Sequence, residues 1–492
     1  MTRPKMGPEL GRIQKNHINI KVTIIAFIVA AIALACYHVI GAEKSEYGAW
    51  SLLPVLVVVT TAIYTKRTVE SLFIGVIVGL LMTKSPAEFI PSLGDIFLTV
   101  FQNDVVAWIF IACGLMGSMI ALISCAGGAD SFGNWLSNKV TSRKGTLFST
   151  MALGLVIFID DYLNALTIGS SMRKATDKVK VSREFLSYIV DSTAAPVCII
   201  LPFSTWAVFF SGLLEETGAA GEGGGMDLFI SAIPYMIYAW VCLIVVALVI
   251  NRNIPLFGKM KAAEERAMTT GAVLCEEDAA AEQEIKPAVK NSNMLNFFIP
   301  IGALIFFTWL FDIDVMAGAM AAIFLTVGLY AVQNIMPIGK MFDAILSGFI
   351  DMIAPLGTLF CGFMLAQVND SLGTTSYVIE SVSQFMTVDY LPALVFITMA
   401  ALAFATASFW GIFVVGMPIV IPLAMNLGAD LPIVVGALIS ASAFGSHACF
   451  YGDSTVLSAK ACGISPMNHA LTQLPYTLIT AAISVVFFLI LA

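Results

Sequence analysis

Continuous apolar runs of about 20 residues recur along this chain, and that is the length a helix needs to cross a hydrocarbon core of about 30 Å. A transmembrane β-barrel would instead show segments of about ten alternating residues. With 59% hydrophobic and 12% charged residues, the chain lies far from the roughly 25% charged residues of soluble domains. It reads as an all-α polytopic membrane protein, with the lipid bilayer as its first partner. The net charge of -8 comes largely from the acidic stretch between Glu264 and Glu284, and no basic patch suits nucleic acid. Eight of the nine cysteines (Cys36, Cys113, Cys125, Cys198, Cys242, Cys361, Cys449 and Cys462) lie in or beside apolar segments without a CxxC pair. They read as small core residues rather than a disulfide framework or zinc site.

Loops rich in Arg and Lys face the cytoplasm. They fall at the amino terminus, at Lys66 and Arg67, at Lys139 to Lys144, at Arg173 to Arg183 and at Arg252 to Arg266. The run from Val22 to Ile40 is long for a signal sequence and has no clear cleavage motif after it, so it reads as a retained first span with a cytoplasmic N-terminus. Spans at 50–64, 69–83 and 105–126 then alternate. Residues 145–172 break this pattern, because both flanks are cytoplasmic in character. A re-entrant hairpin satisfies both ends, and non-helical backbone at that depth is tolerated only where protein or a water-filled cavity surrounds it. A helix over 185–214 and a return span over 228–250 follow, then a charged, Ala-rich linker over 251–294, expected to be cytoplasmic and mobile.

The second half retraces the first. Spans at 297–311, 316–331 and 350–371 match those at 50–64, 69–83 and 105–126 at a shift near 247 residues, and Gly117-Ser-Met-Ile-Ala121 aligns with Gly362-Phe-Met-Leu-Ala366. The division is a tail and first span (1–45), repeat 1 (46–250), the linker, and repeat 2 (295–492) with a hairpin at 391–428 and a broken helix at 432–460. About 11 spans and two hairpins result, in the inverted arrangement that marks secondary transporters.

The polar residues gather in the repeated segments. Asp160 and Asp161 lie within an apolar stretch, and an intramembrane carboxylate is a functional hypothesis by default. Asp160, Asn164, Thr167 and Ser171 share one helical face, while Asp161 points about 100° away. In DSTAAPVCIILPFSTW, Pro196 and Pro202 interrupt the helix and free carbonyls beside Asp191, Ser192, Thr193, Ser204 and Thr205. A hard cation such as sodium takes oxygen ligands of these kinds, and the second half offers Gly445, Gly452, Asp453, Ser454 and Thr455. Thr406, Ser408, Trp410 and Gly411 mark the second hairpin, and His447 is a plausible proton carrier. Asp160, Asp191 and Asp453 are the carboxylates for sodium. His38 and His469 read as interfacial or packing histidines.

FGSHACFYGDSTVLSAKACGISPMNHALTQLPYTL resembles the carboxyl-terminal signature of the NhaC family of sodium/proton antiporters, and FIDDYLNALTIGSSMR with DSTAAPVCII resembles its amino-terminal counterpart. The resemblance covers most of the chain. It implies the ion transporter superfamily fold, a homodimer, an elevator-like motion in a bacterial inner membrane, and sodium and protons as coupling ions with no other cofactor. It also carries cation and substrate binding onto Asp160, Asp161, Asn164, Asp191, Ser192, Thr193, His447, Asp453, Ser454 and Thr455. Where the family often reads Gly-Asp-His-Cys-Ser-Pro, this chain has Gly445-Ser-His-Ala-Cys-Phe450, losing an acid and a proline. That departure keeps a second reading open: sodium- or proton-coupled transport of a small amino acid or carboxylate, with Trp206, Trp410 and Phe450 near the solute. An enzyme is disfavoured. The paired aspartates and Tyr451-Gly-Asp453 are similar to those of intramembrane aspartyl proteases, but Phe450 stands where that class needs glycine. A passive channel has no use for inverted repeats with broken helices.

Overall fold

The computed structural model describes residues 47–492 except 66, 129–130, 133–134, 136–138, 140–141, 159, 203, 217–223, 282–292, 384, 386, 407–408 and 410. The leading run, His38, Ser408 and Trp410 therefore lie outside the described residues. Those described form helices and connecting turns: α1 (Leu53–Thr65), α2 (Thr68–Thr83), α3 (Phe89–Phe101), α4 (Asp104–Cys125), α5 (Arg143–Val156), α6 (Asp161–Lys178), α7 (Arg183–Ser192), α8 (Ala195–Ile199), α9 (Thr205–Glu216), α10 (Gly225–Ala232) and α11 (Ile237–Asn251). After α12 (Gly258–Thr270) and α13 (Glu276–Ala281) come α14 (Leu295–Leu310), α15 (Val315–Val332), α16 (Ile338–Asp351), α17 (Ile353–Ser371), α18 (Thr374–Ser383), α19 (Leu391–Thr406), α20 (Gly411–Leu427), α21 (Leu431–Ala448), α22 (Asp453–Cys462) and α23 (Pro466–Leu491). Among the described residues six helical stretches are long and apolar enough to span a bilayer, and a bent pair makes a seventh.

Helix starts recur at a nearly constant interval. Thr68 and Val315 are 247 residues apart, Phe89 and Ile338 are 249, Asp161 and Gly411 are 250, and Arg183 and Leu431 are 248. Two groups of helices result. In one, α1 packs on α2, α14 on α15, α16 on α4 and α17 on α2. In the other, α5 packs on α6, α19 on α21, α22 on both α6 and α7, and α23 on α11 and α21.

Three features differ from the sequence expectation. Helices α3 and α16 were not anticipated, because each is amphipathic rather than uniformly apolar. α16 buries Met341, Ala344 and Gly348 and exposes Ile338, Phe342, Leu346 and Ile350, but Lys340, Asp343, Ser347 and Asp351 interrupt these apolar residues, so no continuous apolar run marks it. The return span over 228–250 is two helices bent by 42°, with Pro234 in the turn between them. The linker, expected to be mobile, contains α12 and α13 with fully buried Glu264, because charged residues of the linker find partners on the helix ends.

The α4–α16 contact joins the two halves at its closest on a pair of glycines. A Cβ on Gly117 would lie 2.6 Å from the carbonyl oxygen of Gly348, and one on Gly348 would lie 2.4 Å from that of Gly117. Beside them Ser118 Oγ donates to Ile345 O at 2.8 Å. Small residues permit such backbone approach in membranes, where packing rather than water expulsion drives helix association. Gly348→Leu should lower the melting temperature in detergent by several degrees, reflecting overpacking of about 1–3 kcal/mol. Gly339→Leu, on the same helix with open space around it, should leave the melting temperature unchanged.

Candidate cation and substrate site

The described residues of the link between α5 and α6, Ile157, Phe158 and Asp160, bear no regular structure, and carbonyls there need donors. Asn164 supplies them: its Nδ2 lies 2.8 Å from Gly154 O, 2.6 Å from Ile157 O and 2.8 Å from Thr193 O, the last at the break after α7. Asp160 caps α6, accepting from Leu163 N at 2.9 Å through Oδ1 and from Thr205 Oγ1 at 3.0 Å through Oδ2. Asp161, in the first turn, accepts from Trp206 Nε1 at 3.0 Å through Oδ1. Adjacent residues at the start of α9 thus hold both acids, although the acids leave the helix in different directions. Asp161 Oδ2 is buried and has no hydrogen-bond partner, and Asn164 Oδ1 is in the same condition.

Asp453 joins this group from the second half. Tyr162 OH donates to its Oδ2 at 2.5 Å, while Ser446 Oγ and Ser454 N donate to Oδ1 at 3.0 and 2.8 Å.

Asp191 lies in a second network. Ser454 Oγ donates to its Oδ1 at 2.5 Å, and its Oδ2 takes His469 Nε2 at 3.0 Å, Gln473 Nε2 at 2.8 Å and Thr455 Oγ1 at 3.3 Å. The capacity of this carboxylate is filled. His447 stands beside it, with Nε2 on Ser192 Oγ at 3.1 Å and Nδ1 on Tyr238 OH at 2.8 Å, and its carbonyl accepts from Gln473 Nε2 at 2.5 Å. Ser454 bridges the two networks through its Oγ and its backbone N–H.

Asp160, Asp191 and Asp453 thus occupy two networks rather than one sphere. Among the described residues no group of three His, Cys, Asp or Glu side chains is gathered to hold a metal. Thr193 and Ser204 bond locally, to Ile189 O at 2.9 Å and Cys198 O at 2.7 Å. Gly411 begins α20. Thr167 lines a narrow cavity of about 20 Å³ between α6, α4 and α14, together with Ser170, Ser171, Met119 and Ile301. Such a space takes one water-sized group. Trp206 is fully buried and turned onto Asp161, and Phe450 is buried against Phe404, so neither ring offers a face to a solute in this structure.

Sequence reading missed Tyr162, Tyr238, Ser446, Gln473 and the role of His469. For the last two a signal existed: His469, Gln473, Tyr476, Thr480 and Ser484 recur at helical spacing along α23, and all are buried. A polar stripe on an otherwise apolar helix needs partners.

The model of the Na+/H+ antiporter family matches residues 197–492, more than half of the chain and including Asp453, His447 and all of α19–α23. The chain belongs to the Na+/H+ antiporter family. An uncharacterized protein of Haemophilus influenzae is 26% identical over 89% of this chain and 90% of its own length. Two fungal relatives match smaller portions. An uncharacterized Na+/H+ antiporter of Schizosaccharomyces pombe is 28% identical over 30% of this chain and 29% of its own length. An endosomal/prevacuolar sodium/hydrogen exchanger of Saccharomyces cerevisiae is 22% identical over 30% of this chain and 25% of its own length.

Within this family member the two networks should respond differently to loss of charge. Asp191→Asn places an amide nitrogen or a weaker acceptor before four donors and should cost about 1–3 kcal/mol of stability, seen as a lower melting temperature in detergent. Asp161→Asn leaves a carboxamide where one oxygen already lacks a donor, and should keep the melting temperature at or above that of the wild type. Equal destabilisation by both would contradict the division.

Proposed function

We propose that this protein is a secondary active Na+/H+ antiporter in which the two ions compete for the Asp160–Asp161 pair. The observation that carries this reading is the state of Asp161: a fully buried carboxylate with one oxygen unclaimed, beside a second buried carboxylate. Among the described residues no Lys, Arg or His forms an ion pair with either. Buried charge without a partner is costly, and a sodium ion or a proton relieves that cost equally well at one carboxylate. Competition between them is the physical basis of exchange. Membership of the Na+/H+ antiporter family supports the same conclusion.

In this reading the protein has about 11 spans and two re-entrant hairpins in inverted repeats. It resides in a bacterial inner membrane with its N-terminus in the cytoplasm and works as a homodimer. The hairpins and broken helices, α5–α11 with α19–α23, move past α1–α4 and α14–α17 to give alternating access. The narrow cavity beside Thr167 lies between these two groups, and its size suits an ion with little water rather than an organic solute. Trp206, committed to Asp161, points the same way.

The test uses purified protein in liposomes containing a pH-sensitive dye, with sodium, lithium or potassium added outside and then a panel of amino acids and carboxylates. Sodium alone should drive proton flux. Flux appearing only with an organic solute would replace this reading with coupled solute transport. Asp160→Asn and Asp161→Asn should each reduce sodium-driven flux to the level of empty liposomes with normal membrane insertion. Glu276→Gln, an exposed acid on α13, should leave flux unchanged.

A further inference from the structure

The segment joining the two halves holds the most heavily engaged carboxylate outside the candidate site. Glu264 on α12 is fully buried. Its Oε2 takes Arg143 NH2 and, at 2.8 Å, Arg252 NH2, while Oε1 accepts from Ser182 N at 2.9 Å. Those partners are the first residue of α5, the residue after α11 and the residue before α7. Nearby, Arg266 NH2 donates to both oxygens of Glu184 at 2.9 Å, and Arg183 N donates to Val273 O at 3.0 Å. Further along, Asp278 accepts from Ser465 N and Asn468 Nδ2, each at 3.0 Å, at the start of α23, and Leu274 packs on Ala459 and Ile464. Apart from Arg252, which lies in the segment itself, every partner named here belongs to the helices that carry the two polar networks or to the turns between them. None belongs to α1–α4 or α14–α17.

We propose that residues 251–281 are a permanent part of the body that carries the site, pinned by Glu264 as a positioning residue, and travel with it instead of serving as slack between repeats. The argument is one of charge. Two guanidinium groups and a backbone N–H converge on one carboxylate that has no access to water. Undocking would strip the Arg143 guanidinium and the Ser182 N–H at once and leave only Arg252 of the segment itself, and a buried ionic cluster loses most when one member is withdrawn. A second patch at Asp278 and Leu274 fixes the far end of the segment to α23, so the two attachments span the roots of the first hairpin, the first broken helix and the last helix. The movement in this proposal rests on the alternating-access reading, but the docking does not.

The test uses native Cys275, whose Sγ lies 3.3 Å from Asn468 Nδ2. In full-length protein with the other eight cysteines replaced by alanine, Asn468→Cys places a second thiol beside it, and copper phenanthroline in air closes the link. Mass spectrometry reads the link without reference to any transported ion. The expected result is near-complete linkage with ion flux within twofold of the reduced protein. Flux blocked by the link and restored by dithiothreitol would mean that the segment leaves α23 during the cycle, and absence of the link would mean that it is not docked there; either overturns the proposal. Absence of sodium-driven flux in the reduced protein would instead count against the antiport reading. Glu264→Gln should lower the yield of the link at least fivefold at fixed oxidation time, and should cut maximal flux without changing the sodium concentration for half-maximal flux. Glu264→Asp should restore part of both. An unchanged yield in Glu264→Gln would overturn its assignment as the pin.

Discussion

Two interruptions of helix deep in the apolar interior meet at the side chain of Asn164, and the arrangement around the candidate site depends on that meeting. An interrupted helix frees carbonyls that lipid cannot satisfy, and both the α5–α6 link and the end of α7 present such carbonyls. One amide nitrogen shares its two N–H donors among the carbonyls of Gly154, Ile157 and Thr193. Gly154 permits it, since a Cβ there would fall 2.2 Å from Thr193 Oγ1. The two breaks are thereby joined, and the start of α6 is fixed. Asp160 then becomes its cap and Asp161 its first-turn acid, where the positive end of the helix dipole favours negative charge.

From that placement the acids divide by the donors that surround them. Asp191 of α7 faces α22 and α23, which bring two hydroxyls, an imidazole and an amide, and both oxygens are used. Asp161 faces a single indole N–H. A carboxylate saturated by donors gains little from a cation, because the ion would have to displace those donors first. One with a free oxygen gains a great deal. The same residue type therefore serves as a joint in one network and, in the proposed cycle, as the exchange site in the other, and Ser454 connects them.

Apolar run length gave the membrane class, and the residues of the polar segments could be listed from DSTAAPVCII and FYGDST because proline, glycine and acids have no ordinary place in a lipid-facing helix. Their grouping was not legible. Asp160 and Asp161 lie about 100° apart on a helical wheel, and only the position of Thr205 and Trp206 at the start of α9 brings both to one helix end. Asp191 and Asp453 read as carboxylates of corresponding ligand sets, yet one has both oxygens taken by side chains of two helices and the other is met by a tyrosine of the opposite half. α3 and α16 were missed because each is short, 13 and 14 residues, and has at least one acid among its apolar residues. The linker was misread because composition cannot say that Glu264 meets Arg143 from 121 residues away.

The bonds that define the site run mainly between halves. Tyr162 reaches Asp453, and Ser454 reaches Asp191. The short helix α22 is held at its other end as well: Arg173 donates to Ala461 O and Lys460 O at 2.5 and 2.7 Å, and Arg183 donates to Cys462 O at 2.7 Å. Its C-terminal carbonyls thus meet two cations of the first half, where the helix dipole welcomes positive charge. A helix of ten residues is held at both ends by residues of the first half. Any displacement of Asp453 must carry α6 and α7 with it, and with them Asp160, Asp161 and Asp191. In the proposed cycle the exchange site therefore moves as one interlocked piece built from both halves, and the contacts that must change lie at its border with α4 and α14.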